Sequence, residues 1–108
     1  MSRHPDRAAQ VADVLRAHPA FPDFLRAARR PDQLLRSLIP LYVAAQLDLE
    51  LDSGEIARVW RRFRVSYAVP NAAKALREHV GYAIRSKTGR RIAKPGIRYV
   101  EAQAFNLH

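Results

Sequence analysis

The residues best able to do chemistry lie in a basic stretch near the carboxyl end of the sequence. Between Arg85 and Arg98 there are six basic residues and no acidic one. They are Arg85, Lys87, Arg90, Arg91, Lys94 and Arg98. Guanidinium and ammonium groups bind phosphates and carboxylates, so a stretch with no compensating acid indicates contact with a polyanion.

The charge of the whole chain is distributed in the same uneven way. Residues 1–50 carry seven Arg against six Asp and Glu, whereas residues 51–108 carry twelve Lys and Arg against four acidic residues. The net charge is therefore +1 in the first half and +8 in the second. This asymmetry favours one half for assembly and one half for a polyanion over a charge that only keeps the protein in solution.

A predicted helix that begins with a capping box precedes the basic stretch. Asp52 accepts a hydrogen bond from the backbone of Glu55, whose side chain reaches back to the Asp52 backbone. The apolar residues at helical spacing, which form its buried face, are Ile56, Val59, Trp60 and Phe63. The basic residues that this helix turns outward are Arg58, Arg61 and Arg62.

A second predicted helix follows, from Pro70 to about Val80, where Gly81 ends it. The residues predicted to line its inner face are Val69, Ala73, Leu76 and Val80. The residues predicted to face outward are Asn71, Lys74, Ala75 and Glu78, flanked by Arg77.

The basic stretch itself is predicted to form a β-hairpin. Residues Tyr82–Ser86 and Gly96–Ala102 alternate with the period of a strand. Between them, Lys87–Pro95 contains the turn pairs Thr88-Gly89 and Pro95-Gly96, which indicates a long basic loop.

The first third of the chain is predicted to be helical. Three Pro-Asp pairs, at residues 5–6, 22–23 and 31–32, indicate helix starts with proline as the first helical residue. The predicted helices are about Pro5–Ala17, Pro22–Arg29 and Pro31–Asp48. Pro40 lies inside the third, and either kinks it or divides it into two short helices.

The third helix carries two apolar stripes. One consists of Leu34, Leu38, Leu41 and Ala45, and the other of Leu35, Ile39 and Tyr42. One stripe can cover the core of the same domain, and the other needs the first two helices or a second subunit. Together with Phe21, Phe24 and Leu25, this second stripe predicts a homodimer through the N-terminal helices.

Neither a metal site nor a catalytic site is expected from this sequence. The four histidines, His4, His18, His79 and His108, are far apart and have no carboxylate at ligand spacing. No nucleophile motif or phosphate-binding glycine loop occurs, so we expect no enzyme and no cofactor. Without cysteine, an apolar leader or an apolar run of membrane length, a cytoplasmic protein with no membrane partner is expected.

The pattern from Asp52 to Phe105 resembles the winged helix-turn-helix superfamily. The resemblance is carried by SGEIARVWRRF, by PNAAKALREHVGY and by two strands around KTGRRIAKPG. It implies a mainly α (α+β) fold, with a winged-helix domain at residues 31–108 and an N-terminal helical extension at residues 1–30.

The resemblance also implies how the chain would contact double-stranded DNA. A recognition helix at about residues 70–80 would enter a groove, and a basic wing at about residues 85–98 would lie over the neighbouring phosphates. Asn71, Lys74 and Glu78 would meet base edges or nearby phosphates. Residues suited to phosphate are Arg77, Arg58, Arg61 and Arg62, and those of the wing are Arg85, Lys87, Arg90, Arg91, Lys94 and Arg98.

The expected function is therefore non-enzymatic DNA binding, in a transcriptional regulator or a nucleoid-associated architectural factor. Two alternatives remain open at this point. One is an RNA-binding or ribosome-associated winged helix, since a basic wing suits any polyanion. The other is a winged-helix protein–protein module whose wing contacts an acidic partner in a larger complex.

Overall fold

The computed structural model describes residues 6–105. These residues form six helices and one two-stranded antiparallel sheet. The helices are α1 (Arg7–Ala17), α2 (Phe21–Ala28), α3 (Gln33–Gln46), α4 (Ser53–Arg61), α5 (Val69–Glu78) and α6 (Lys94–Ala104). The strands are β1 (Ala83–Arg85) and β2 (Arg90–Ile92), which lie between α5 and α6. A mainly helical α+β fold with a small hairpin is thus confirmed.

Aspartates, and not the prolines before them, begin two of the N-terminal helices. Oδ1 of Asp6 accepts from the backbone of Ala9 at 3.2 Å, and Oδ1 of Asp32 accepts from Leu35 at 2.9 Å. Each aspartate is the N-cap, where it satisfies a backbone N–H that the helix leaves without a partner. Proline as the first helical residue is therefore wrong for α3, and Pro5 lies outside the described residues.

Helix α3 is the centre of the fold and packs against all five other helices and β2. It continues through Pro40, so the alternative of two short helices is wrong. Most residues of both apolar stripes are buried within one chain, including Leu38 of the first and Ile39 of the second, whereas Tyr42 is half-buried and Ala45 is exposed.

The aromatic residues that suggested a dimer also pack inside the chain. Phe24 is fully buried, and its ring centroid lies 5.9 Å from that of Tyr42 and 5.3 Å from that of Phe105. Phe21 lies against Phe63, with centroids 5.1 Å apart. A homodimer through these helices stays a prediction, and the residues that motivated it are used within a single chain.

Helix α4 begins as predicted, with a complete capping box. Oδ1 of Asp52 accepts from the Glu55 backbone at 2.8 Å, and the Asp52 backbone donates to Oε1 of Glu55 at 2.9 Å. The next helix, α5, starts one residue earlier and ends two residues earlier than predicted.

The predicted inner face of α5 is wrong except at Leu76, and Ala75, which was predicted to face outward, is buried. The buried residues of the helix are Ala72, Ala75 and Leu76, whereas Val69 is 42% exposed and Val80, beyond the helix end, is 84% exposed. Contact with α3 and α4 on this side decides the rotation of the helix.

The predicted second strand is also wrong, because Gly96–Ala102 lies in α6. Strand β2 comes earlier in the chain, and a connection of only four residues, Ser86–Gly89, joins it to β1. Pro95 lies in the first turn of α6, which suits a residue without a backbone N–H. The buried residues of α6 are Gly96, Val100 and Ala104, four positions apart on one helix face.

The link before α4 and helix α1 both contact distant parts of the chain. Leu51 pairs with Arg90 in an isolated antiparallel bridge, so the link before α4 extends the hairpin by one residue pair. Ala8 and Leu15 of α1 belong to the same buried cluster as Trp60, Leu76 and Val100. Every helix within residues 6–105 is too short or too polar to cross a membrane.

Candidate functional site

An open groove lies between α5, the start of α4 and the hairpin. We call it the arginine groove, because Arg77 of α5, Arg85 of β1 and Arg90 of β2 line it, together with Lys87 of the connecting loop. The remaining lining residues are Asp52, Ser53, Ala73, Ser86, Thr88 and Gly89. Four of the side chains predicted to contact a polyanion are thus brought together.

The register of the hairpin explains why two of these arginines converge. Arg85 is directly opposite Arg90, and Ala83 is directly opposite Ile92. Side chains two positions apart in a strand share a face, so all four lie on one side of the hairpin. Ala83 and Ile92 are buried in the core, whereas Arg85 and Arg90 extend that face past the edge of the core.

The arginine groove concentrates positive charge at a cost to the fold. Like charges directly opposite each other across two strands are destabilising. Partial burial, followed by the charges of Arg85 and Arg77, lowers the pKa of Arg90. Within residues 6–105, no carboxylate oxygen comes within 4.0 Å of the side-chain nitrogens of these three arginines. An anion bound in the groove would relieve this repulsion.

Among residues 6–105, the one acidic residue that lines the groove already has a hydrogen-bond partner. Asp52 is the N-cap of α4, and its carboxylate accepts from the Glu55 backbone. Four basic side chains and one acidic side chain therefore leave the lining with an excess of positive charge. This composition suits an extended anion with several phosphates more than a single carboxylate.

Arg91 differs from Arg90, although the two are consecutive and both were predicted to contact a polyanion. It lies on the opposite face of the hairpin and bonds Oδ1 of Asp48 at 2.8 Å and Oε2 of Glu50 at 3.2 Å. Glu50 also accepts from the hydroxyl of Thr88. The Thr88 hydroxyl, followed by Ser86 and Arg91, lowers the pKa of Glu50 to about 2. Arg91 therefore anchors the hairpin to the link before α4.

Arg7 is a site residue that the sequence did not reveal. Its guanidinium bonds both carboxylate oxygens of Glu55, at 2.8 and 2.6 Å. It also donates to the backbone oxygen of Thr88 at 3.0 Å and to the Thr88 hydroxyl at 3.1 Å. Arg7 thus joins α1, the start of α4 and the tip of the hairpin. No local pattern relates it to residues 48 and 81 positions away.

The outward residues of α5 do not form one continuous face with the hairpin. Asn71, Lys74 and Glu78 line a separate groove with Asp32 and Tyr99, between α5 and the start of α3. Nζ of Lys74 lies 3.9 Å from Oε2 of Glu78. Only Arg77 among the predicted polar residues of α5 lines the arginine groove.

The basic residues of α4 lie on its exposed side, as predicted. Arg58, Arg61 and Arg62 line a shallow groove beside Asp6 and Ala8 at the start of α1. Arg61 also lines a pocket with Arg64, a basic residue three positions past the end of α4 that was not identified as a candidate from the sequence. Arg64 has a φ of 60°, a left-handed conformation that turns the chain toward α5.

Lys94 and Arg98 are displaced from the predicted wing, because the segment that holds them is helix α6. Both are exposed, and neither lines the arginine groove. Their prediction as wing contacts rested on the second strand that the structure replaces with a helix.

The histidines bond to the backbone in the part of the chain that the structure describes. Nδ1 of His18 accepts from the Ala20 backbone at 3.0 Å, and Nδ1 of His79 lies 2.9 Å from the Ala75 carbonyl oxygen. No group of three or more potential ligands for a metal occurs between residues 6 and 105.

Comparisons with family models, curated proteins and solved structures find no match to this chain.

Proposed function

We propose that this chain is a non-enzymatic DNA-binding protein that holds duplex DNA by its phosphate backbone in the arginine groove. The observation that carries the proposal is the convergence of Arg77, Arg85 and Arg90 with no carboxylate of residues 6–105 within 4.0 Å. Repulsion between these arginines destabilises the free protein, and a bound polyanion relieves that repulsion. Polyanion binding therefore explains why the three arginines lie together.

The order of the elements supports a winged helix-turn-helix arrangement within this proposal. Helix α3, the Leu51 bridge, α4, α5 and the hairpin follow one another in the order expected of that superfamily. The hairpin would be a short wing, with α1, α2 and α6 as additions around it. Helix α1 packs mainly on α2, α3 and α4 and leaves the arginine groove open.

Seven of the predicted contacts are kept under this proposal, in two groups. Arg77, Arg85, Lys87 and Arg90 in the groove would bind phosphates directly. Arg58, Arg61 and Arg62 on α4 would add phosphate contacts beside it. The biological role would be transcriptional regulation or shaping of DNA in the nucleoid.

Titration of a short mixed-sequence duplex over a range of salt concentrations tests the proposal. Each neutralised phosphate contributes about 0.9 to the slope of log affinity against log salt, so the four groove contacts alone predict a slope of roughly −3.6, and contacts from α4 would make it steeper. Absence of binding at about 50 mM salt would contradict the proposal, since counterion release is strongest there. Tighter binding of a structured RNA than of any duplex DNA at matched salt would assign the groove to RNA.

A further inference from the structure

The outward face of α5 has few side chains free to read bases. Opposite its buried residues lie Pro70, Lys74 and Arg77, by the helical period. Proline offers no hydrogen-bonding side chain, and Arg77 is turned toward the arginine groove. A helix that reads sequence presents several long polar side chains to the base edges of the major groove.

The two remaining long polar residues near this face are a salt-bridged pair. Lys74 and Glu78 lie 3.9 Å apart, and Glu78 brings a carboxylate to the surface that would approach the DNA. A carboxylate near phosphates is repelled by them, and one paired with lysine is less available to accept from cytosine. The side chain of Asn71 is not bonded to another side chain of residues 6–105, but it lies in the separate groove beside Asp32.

Apart from Arg77, the positive charge of the arginine groove lies on an element that flanks α5. Arg85, Lys87 and Arg90 belong to the hairpin, and Arg58 and Arg61 lie on the exposed side of α4 in a neighbouring groove. A Cβ atom on Gly54 would lie 3.7 Å from Nη1 of Arg58, and Gly54 follows Ser53, which lines the arginine groove. Cationic side chains that bind phosphates position a protein on DNA and carry no sequence information.

From this distribution we infer that the arginine groove binds duplex DNA without reading its base sequence. The inference rests on the proposed function and specifies its substrate class, which is a duplex recognised by its backbone. It separates an architectural role from a sequence-specific regulatory one, because a specific regulator needs direct contacts to base edges.

Affinity for a panel of unrelated duplexes of equal length, at one salt concentration, tests the inference. The expected result is dissociation constants within about threefold of one another, because phosphate contacts are equal for all sequences. Selection from a randomised duplex pool should enrich no base at any position. A selected sequence bound more tightly than the pool by about fivefold or more would overturn the inference, because one bidentate base contact has that effect.

The variant Asn71→Ala supplies a second readout on the same panel. Its affinity should stay within about twofold of the unsubstituted protein on every duplex, since Asn71 reads no base. A loss confined to some sequences would show that α5 reads bases and would overturn the inference while leaving the proposed function intact. Absence of binding to every duplex would overturn both.

Discussion

Arg90 and Arg91 are neighbours in one strand, yet they lie in opposite electrostatic surroundings. Arg91 is held by Asp48 and Glu50 on one face of the hairpin. Arg90 faces Arg85 on the other face and has a pKa lowered by burial and by two nearby arginines. One face of the hairpin is a neutralised anchor, and the other is an uncompensated cationic surface.

This difference shows that identical residue types one position apart can have different surroundings, and under the proposed function one serves stability and the other binding. The alternation of a strand separates the two side chains, and the partners on each face decide their roles. The anchored face fixes the position of the hairpin. The cationic face then holds its charges together at a place where a phosphate backbone can reach them.

Displacing the whole hairpin should have the largest effect, because it disturbs both faces together. A Cβ atom on Gly89 would lie 2.5 Å from the backbone carbon and oxygen of Leu51. We expect Gly89→Ala to lower the free energy of unfolding by about 1–3 kcal/mol, as overpacking against backbone does, and to weaken DNA binding. Urea denaturation and DNA titration measure the two effects.

Gly81→Ala is the matched control for this prediction. A Cβ atom at Gly81 meets nothing within 4 Å, so only the φ of 99° opposes the substitution. Gly81→Ala should lower the free energy of unfolding by about 1 kcal/mol without changing the affinity of the folded protein for DNA. Equal effects of the two substitutions on DNA affinity would contradict a role for the contact between Gly89 and Leu51.

Removing the tie between α1 and the hairpin should have the next largest effect. Arg7→Gln loses the paired bonds to the buried Glu55 and the bonds to Thr88. We expect a loss of about 1–2 kcal/mol in the free energy of unfolding. The affinity for DNA should fall while the salt slope stays unchanged, because Arg7 positions the hairpin and binds no phosphate.

The variant Arg7→Lys tests whether the positive charge of Arg7 is enough or whether its planar guanidinium is needed. Lysine keeps the positive charge but cannot bond two oxygens through a planar fork, so it should restore only part of the stability. A reduced salt slope in Arg7→Gln would instead identify Arg7 as a phosphate contact.

Neutralising Arg90 and neutralising Arg91 should have different effects on DNA binding and on stability. Arg90→Gln should reduce the magnitude of the salt slope by about 0.9, because one phosphate contact is lost. Arg91→Gln should leave the slope unchanged and lower the urea midpoint, because it releases Asp48 and Glu50. Arg90→Gln should leave the midpoint unchanged or raise it, since it removes a like-charge pair.

Arg29→Gln is the control for the loss of one charge. Arg29 is exposed at the end of α2 and does not line the arginine groove. The salt slope of Arg29→Gln should match that of the unsubstituted protein. Equal slopes for the Arg90 and Arg91 variants would remove the distinction between the two faces.

The smallest expected effect is a pH dependence of the anchored face. The pKa of Glu50 is lowered from 4.5 to about 2, so its carboxylate stabilises the fold at pH values above 4.5. This contribution is lost as the pH falls from 4.5 toward 2, because protonation then breaks the bonds to Thr88 and Arg91. The urea midpoint should fall less over this range in Glu50→Gln than in the unsubstituted protein. If the urea midpoints of the two proteins fell equally with pH, the ionised carboxylate of Glu50 would not stabilise the fold.

Local patterns predicted much of the helical framework. The capping box at Asp52 and Glu55 needs only residues three positions apart, and it is present as expected. Local patterns could not distinguish helix α6 from a strand, because the apolar residues of Gly96–Ala102 fit both helix and strand spacing. Its packing decides the outcome: a Cβ on Gly96 would meet the carbonyl oxygen of Tyr82, so the helix lies directly against the hairpin.

The sequence by itself determined that positive charge accumulates in the second half of the chain and that two short helices precede a hairpin. Only the tertiary structure decided which arginines have a carboxylate partner and which do not. Asp48, Glu50 and Glu55 lie far from residues 88–91 in sequence, and the folding of the link before α4 along β2 brings them close. Ion pairing depends on distance in space, so residue type alone could not distinguish the anchoring Arg91 from the exposed charge of Arg90.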